Sequence, residues 1–262
     1  MKSVLEFKAR KTSGVKISMV SAYTHWEARF LETSPVDCIL VGDSLAVVLD
    51  GESTTFAATT EIMARHTRAV SRGAGGKLII ADFPFLAARR GVVAAVDCAA
   101  ELLRAGASAV KIEGVDGHED VLRHLTQSGV PVLGHIGLTP QSLHALGGYK
   151  VQGKGVAASA DLVRQARAIE TAGCFGIVVE CVPPAVAREI TAAVGIPTIG
   201  IGAGADCDGQ VLVFHDLLGL NPGFSTRFMR RFADGGAVVT DGLAAFAKAV
   251  AKGDYPNRKE SY

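Results

Sequence analysis

The chain has 262 residues, 48% hydrophobic and 20% charged, with 27 Lys and Arg against 26 Asp and Glu for a formal charge of +1. That balance excludes a disordered chain and a protein that binds nucleic acid through bulk charge, and the length suits one α/β barrel or two small domains. Five cysteines (Cys38, Cys98, Cys174, Cys181 and Cys207) form no C-x-x-C pair, so neither a disulfide framework nor a zinc ribbon is expected.

Met1 to Lys11 mixes charges among its apolar residues and offers no signal-peptide core. The first strand is expected over Val15 to Tyr23, followed by helix-like Thr24 to Glu32. A second strand, Val36 to Ser44, leads into a Thr- and Ser-rich loop, Val47 to Thr59, and a helix over Thr60 to Arg72. Lys77 to Phe85 reads as the third strand, Val92 to Ala107 as a helix, Ser108 to Gly114 as the fourth strand and Pro131 to Leu138 as the fifth. A long loop, Thr139 to Ala157, precedes the helix-like Ala158 to Gly173 and the sixth strand, Phe175 to Val182. Pro184 to Val194 is helix-like, Pro197 to Gly204 is the seventh strand and Gln210 to Gly219 the eighth. A last helix is expected over Asp241 to Lys252.

Glycines at Gly106, Gly129, Gly173 and Gly195 stand where helices must stop, since glycine accepts the left-handed C′ conformation. Near-continuous apolar runs such as Leu78 to Ile80 and Gly176 to Val179 fit a parallel sheet covered on both faces. Eight strands at about 33 residues each predict an α/β fold of the (β/α)8 TIM-barrel type, with residues 1–262 forming one domain that ends in a helical extension. An open, doubly wound sheet is the alternative. No apolar run approaches the roughly 18 residues of a membrane span, so a cytoplasmic protein is expected.

Most apolar runs change character at their C-terminal ends, where Tyr23, Asp43 with Ser44, Asp82, Lys111 with Glu113, His135, Glu180, and His215 with Asp216 appear. In a barrel those ends face one mouth, where active sites of this fold sit. Strand alternation places Lys111 and Glu113 on one side, and likewise Ile80 with Asp82 and Val178 with Glu180. Four carboxylates (Asp43, Asp82, Glu113, Glu180) and one lysine then converge, a charge cluster that a divalent cation relieves. Oxygen ligands without a Cys or His cluster point to Mg²⁺ over Zn²⁺, and the lysine suits an anionic substrate.

Plainer roles stay open beside these. A strand-end Asp also caps helices, Lys111 and Glu113 can form a structural ion pair, and His135 can simply hold its loop. His66 and His124 fall in helical patterns and read as surface or packing residues. Gly200-x-Gly202-x-Gly204 permits a tight turn as readily as a phosphate cradle. Cys181 should point away from Glu180 and is not expected to be a nucleophile.

Eight stretches carry a resemblance: Val41 to Leu45, Ala81 to Phe85, Val110 to Gly114, Gly134 to Ser142, Gly147 to Gly153, Val179 to Pro183, Gly200 to Gly204 and Asp208 to Val213. In these the sequence resembles the ketopantoate hydroxymethyltransferases, of the phosphoenolpyruvate mutase and isocitrate lyase superfamily of barrels. The resemblance implies that Asp43, Asp82 and Glu113 hold Mg²⁺, that Asp43, Ser44, Asp82, Lys111 and His135 contact a 2-oxo acid, and that Glu180 is the base. It further implies 5,10-methylenetetrahydrofolate as co-substrate, 3-methyl-2-oxobutanoate as acceptor, and assembly as a homo-oligomer, a decamer; neither nucleic acid nor membrane is a partner. A lyase or aldolase acting on another 2-oxo acid, or a non-catalytic paralogue, are the alternatives. The chain departs from the family pattern at Thr24 (usually Asp), at Ala46 (usually Gly) and over Gly51 to Thr55.

Overall fold

A computed structural model describes residues 1–262, which divide into two compact units, Met1–Val213 and Phe214–Tyr262. In chain order the first unit carries α1 (Val4–Ser13), β1 (Ile17–Ser21), α2 (His25–Thr33), β2 (Cys38–Val41), α3 (Leu45–Val48), α4 (Thr60–Ser71) and β3 (Leu78–Asp82). It continues through α5 (Val92–Arg104), β4 (Ala109–Glu113), α6 (Glu119–Gln127), β5 (Val132–Gly137), α7 (Leu143–Leu146), α8 (Val156–Thr171), β6 (Gly176–Glu180), α9 (Pro184–Ala193), β7 (Thr198–Ile201) and β8 (Gly209–Val213). All strand pairs are parallel, and β8 returns to pair with β1, so the sheet closes as a barrel in sequence order. The expected fold is therefore present, and the open sheet is excluded by that closing pair.

The barrel interior follows the period of two. Ile17 and Met19 of β1, Cys38 and Leu40 of β2, Leu78 and Ile80 of β3, Ala109, Leu133, Val178, Ile199 and Val211 form one buried cluster. The next inward positions along β3, β4, β5 and β6 are Asp82, Lys111 with Glu113, His135 and Glu180. Apolar filling thus gives way to ionisable groups toward one mouth.

The opposite end is closed by a helix that the sequence reading left unassigned. Ser3 caps α1 by accepting from the Glu6 N–H at 3.3 Å, and Phe7 on this helix is fully buried in the barrel cluster. Its ring meets Phe175 edge-on, with centroids 5.1 Å apart. A Cβ at position 176 would stand 2.9 Å from the Phe7 ring, so glycine there makes room for the plug. Lys11 Nζ, 2.8 Å from Asp208 Oδ2, and Arg10 Nη2, 2.8 Å from Asp37 Oδ1, tie the helix to the strand starts.

Several expected strands prove shorter. Tyr23, Asp43 and Ser44 lie just past β1 and β2, and the expected eighth strand stops at Val213. His215 and Asp216 belong instead to a short helix, α10 (Phe214–Leu217), in the second unit, where Asp216 accepts a hydrogen bond from Asn221 Nδ2 at 2.9 Å. They are corrected from strand-end site groups to helical residues, because the backbone bonds of Leu218 and Gly219 turn back within this segment. The last helix, α11 (Gly235–Lys252), starts six residues earlier than expected and has no buried residue. All five cysteines are free, and no helix is long and apolar enough to cross a membrane.

Candidate active site

Strand register assembles the site. Asp82 on β3 pairs with Lys111 on β4, Glu113 on β4 with His135 on β5, and Gly137 on β5 with Glu180 on β6. Lys111 Nζ lies 3.3 Å from Asp82 Oδ2, 3.8 Å from Glu113 Oε1 and 3.2 Å from His135 Nδ1. His135 stands between two carboxylates, with Nδ1 3.4 Å from Glu113 Oε1 and Nε2 3.3 Å from Glu180 Oε2. Both are ion-pair contacts without hydrogen-bond alignment, and His135 bonds no backbone group, so the loop-holding reading of this residue falls away. Gly137 has a φ of +94°, and a Cβ there would lie 2.2 Å from the Glu180 carbonyl oxygen; glycine lets β5 pass beside the base candidate.

Asp43 sits on the turn after β2. Its backbone N–H donates to Asp82 Oδ2 at 3.1 Å, and its own Oδ2 accepts from Gln141 Nε2 at 2.8 Å. Ser44 is half-buried, with Oγ 2.8 Å from the Tyr23 hydroxyl. Gln141 is the residue that sequence reasoning passed over. Its amide also donates to the Phe83 carbonyl at 2.7 Å, and its backbone N–H donates to Glu113 Oε2 at 3.0 Å, so one residue ties together the ends of β2, β3 and β4. Its signal was membership in the Gly134 to Ser142 stretch, but nothing in a single glutamine announces a fold-back across 98 residues.

Burial sets the electrostatics. It pushes the Asp43 carboxyl well above the usual carboxylate range, and the Asp82 and Glu113 charges push the same way. Asp82 is also raised, by burial that outweighs its Lys111 partner. For Glu113 burial is outweighed by His135 and Lys111, which hold its carboxyl below the ordinary value. Burial and Lys111 lower His135, yet Glu113 and Glu180 prevail and lift it to about 9. Lys111 is raised because Asp82, Glu113 and Asp43 overcome its desolvation. Four carboxylates against Lys111 and His135 leave two uncompensated negative charges when all ionise, the charge of one divalent cation.

The donor set has a further mark of cation affinity: Asp82 Oδ1 and Glu113 Oε1 are buried without a hydrogen-bond partner. Three His, Cys, Asp or Glu side chains do not, however, close on one point as a metal cage. Asp82 is joined to Asp43 through the Asp43 backbone N–H, whereas Glu113 is turned toward His135 and Gln141. Mg²⁺ is commonly held by one or two carboxylates with water and substrate completing the octahedron, so the pair fits that ion without a third side chain.

His66 sends Nδ1 to the Tyr23 carbonyl at 2.8 Å and is a packing residue of α4. Gly200 lies in β7, and Gly202 and Gly204 belong to the turn between β7 and β8, where Gln210 Nε2 donates to the Gly204 carbonyl. Burial raises the Cys181 thiol to about 12, in keeping with its exclusion as a nucleophile. Thr24 is the N-cap of α2 and closes a full capping box with Glu27, a task for which Asp and Thr are both suited, so that departure is structurally neutral.

A closed parallel barrel with its ionisable groups collected at the C-terminal mouth defines a TIM-barrel protein with the site geometry of an enzyme. Solved structures share the fold: a 2,3-dimethylmalate lyase of the PEP mutase/isocitrate lyase superfamily (TM-score 0.63, 15% identity, covering 100% of this chain and 92% of that one) and a phosphonopyruvate hydrolase (TM-score 0.66, 15% identity, 99% and 93%). The chain belongs to the ketopantoate hydroxymethyltransferase family, whose model matches residues 2–258. It is 49% identical to the 3-methyl-2-oxobutanoate hydroxymethyltransferase of Bdellovibrio bacteriovorus over 262 residues (100% of both chains) and 47% identical to that of Coxiella burnetii over 253 (96% and 95%).

Proposed function

We propose that this chain transfers a one-carbon unit from 5,10-methylenetetrahydrofolate to 3-methyl-2-oxobutanoate, giving 2-dehydropantoate. The observation that carries the reading is the buried network of Asp82, Lys111, Glu113, His135 and Glu180, in which four of the five side chains are almost fully buried and the Glu180 carboxylate alone is partly exposed. Asp43 and Asp82 would hold Mg²⁺, with Glu113 beside them; a homologous fold, phosphonopyruvate hydrolase, has been solved with oxalate and Mg²⁺. Bound there, Mg²⁺ supplies Lewis-acid polarisation of the substrate's keto group.

Lys111 and the Ser44 hydroxyl face the substrate carboxylate, and Tyr23 fixes the Ser44 rotamer. Glu180, the least buried carboxylate of the network, takes the proton from the carbon beside the keto group. His135 pairs with Glu180 through Nε2 and balances its charge, a positioning role beside its expected contact with the 2-oxo acid. Both C–N bonds of the folate methylene break, one replaced by the new bond to the deprotonated substrate carbon and the other by a bond to oxygen. Water supplies the hydroxyl oxygen, and the abstracted proton with one proton of water restores the two N–H groups of tetrahydrofolate.

Purified protein given the 2-oxo acid, Mg²⁺ and methylenetetrahydrofolate is expected to form product, and Glu180→Gln is expected to lose at least about 100-fold in kcat while still binding the 2-oxo acid. Folded wild-type protein without turnover overturns the reading. Association as a homo-oligomer, a decamer in the family pattern, belongs to the same proposal and is supported by the exposed apolar row Val239, Leu243, Phe246 and Val250 on α11. Mass measurement in solution tests it.

A further inference from the structure

A cavity of about 290 Å³ adjoins the acidic network and shares Glu113 and Gln141 with it. No step of the chemistry above uses its other walls. Phe56, from the 3₁₀ turn Thr55–Ala57, stacks on Phe85 with centroids 4.3 Å apart and planes 22° from parallel, and His144 meets Phe56 edge-on at 5.3 Å. Phe85 is 36% exposed and the neighbouring Leu86 47%, so these apolar surfaces stand open at the cavity rather than in the core. Leu86 also adopts a φ of +61°, a conformation that costs a side-chain-bearing residue about 1 kcal/mol and that recurs at ligand sites. Arg89 lies at the rim; its Nη1 donates to the Asp116 carbonyl at 3.0 Å, and its Nη2 has no protein hydrogen bond.

Resting on the function proposed above, we propose that this cavity binds the one-carbon carrier: the flat pyrimidinone ring of its reduced pterin on the Phe56–Phe85 stack and its anionic tail past Arg89. The chemistry matches part by part. The planar, electron-rich aminopyrimidinone ring of a reduced pterin prolongs an aromatic stack and gains from its dispersion and quadrupole terms. The volume, at the low end for ligand cavities, takes such a ring but not a whole folate, so the aminobenzoyl-glutamate tail must leave over the exposed rim, where a guanidinium pairs with carboxylates. The cavity opens beside Gln141 and Glu113, which places a ring-borne methylene next to the carbon deprotonated by Glu180. Gln141 then spans the two half-sites, with its amide on the Asp43 side and its turn in the cavity wall.

The test uses Phe56→Leu, Phe85→Leu and Arg89→Gln in the full-length protein. Three quantities are read: exchange of the substrate's C3 proton in D2O with Mg²⁺ and no folate, the KM of each substrate, and binding of tetrahydrofolate alone by calorimetry. Expected is a rise of about 10-fold or more in the folate KM and in the tetrahydrofolate Kd for each variant, with the 2-oxo acid KM and the exchange rate within about 2-fold of wild type. Arg89→Gln should matter more for a polyglutamylated carrier than for one truncated before its glutamate. Unchanged folate parameters in all three variants, or a parallel loss of exchange, overturn the assignment. Wild type that neither exchanges nor forms product overturns the underlying function, while tetrahydrofolate binding lost only in the variants would still support the cavity.

Discussion

Replacing His135 by Gln tests whether the imidazole is held as a cation between Glu113 and Glu180. In the folded protein its pKa lies at about 9, against 6.5 for the free side chain. The folded state therefore binds this proton more tightly than the unfolded state. The stability it contributes is complete below about pH 6.5 and is lost as pH rises through about 9. A gap of roughly 2.5 pH units at 1.36 kcal/mol each gives a contribution on the order of 3 kcal/mol, undiscounted because the side chain is 2% exposed. Urea unfolding of wild type and His135→Gln, in chelator so that no divalent cation competes, measures it at intervals from pH 6 to pH 10. The variant should be less stable by a few kcal/mol at pH 6, and the difference should shrink toward pH 10. A difference that stays constant across this window refutes a charged His135, whatever its size.

Phe7→Ala should cost about 3–5 kcal/mol, because it empties the sealed end of the barrel, while kcat at low temperature stays as in wild type; a loss under 1 kcal/mol in urea unfolding denies the plug. Thr24→Ala removes the N-cap and half the capping box of α2 and should lower stability by about 1–2 kcal/mol, read from the same midpoints. Mg²⁺ should raise the Tm of wild type, Asp82→Asn should abolish the rise, and Glu113→Gln should only weaken it; equal effects of the two substitutions would favour three direct ligands over a pair. Gln141→Leu leaves Asp43 Oδ2 and the Phe83 carbonyl without their donor and should cost about 2 kcal/mol in stability by calorimetry.

Much of the barrel was legible because its signals are local. Strand alternation, helix-stopping glycines and the polar change at each strand end are all properties of a few neighbouring residues, and together they marked Asp82, Lys111, Glu113, His135 and Glu180. The same reasoning extended the eighth strand over His215 and Asp216, since an apolar run does not say where its hydrogen bonds turn back on themselves. It also passed over α1: four apolar residues among charges do not show that one of them, Phe7, fills a hole built by residues 17 to 211.

The sequence by itself determined the repeat, the fold class, the family and the residue types at the mouth, because each depends on spacing along the chain. The tertiary structure alone decided how those residues share their charges. Barrel closure and strand register set Asp82 against Lys111 and Glu113 against His135. A loop residue, Gln141, reached back to hold Asp43, and this separated an Asp43–Asp82 pair from a Glu113 engaged elsewhere. Coulomb energy depends on distances of a few ångströms between groups tens of residues apart, and only the folded chain supplies those distances.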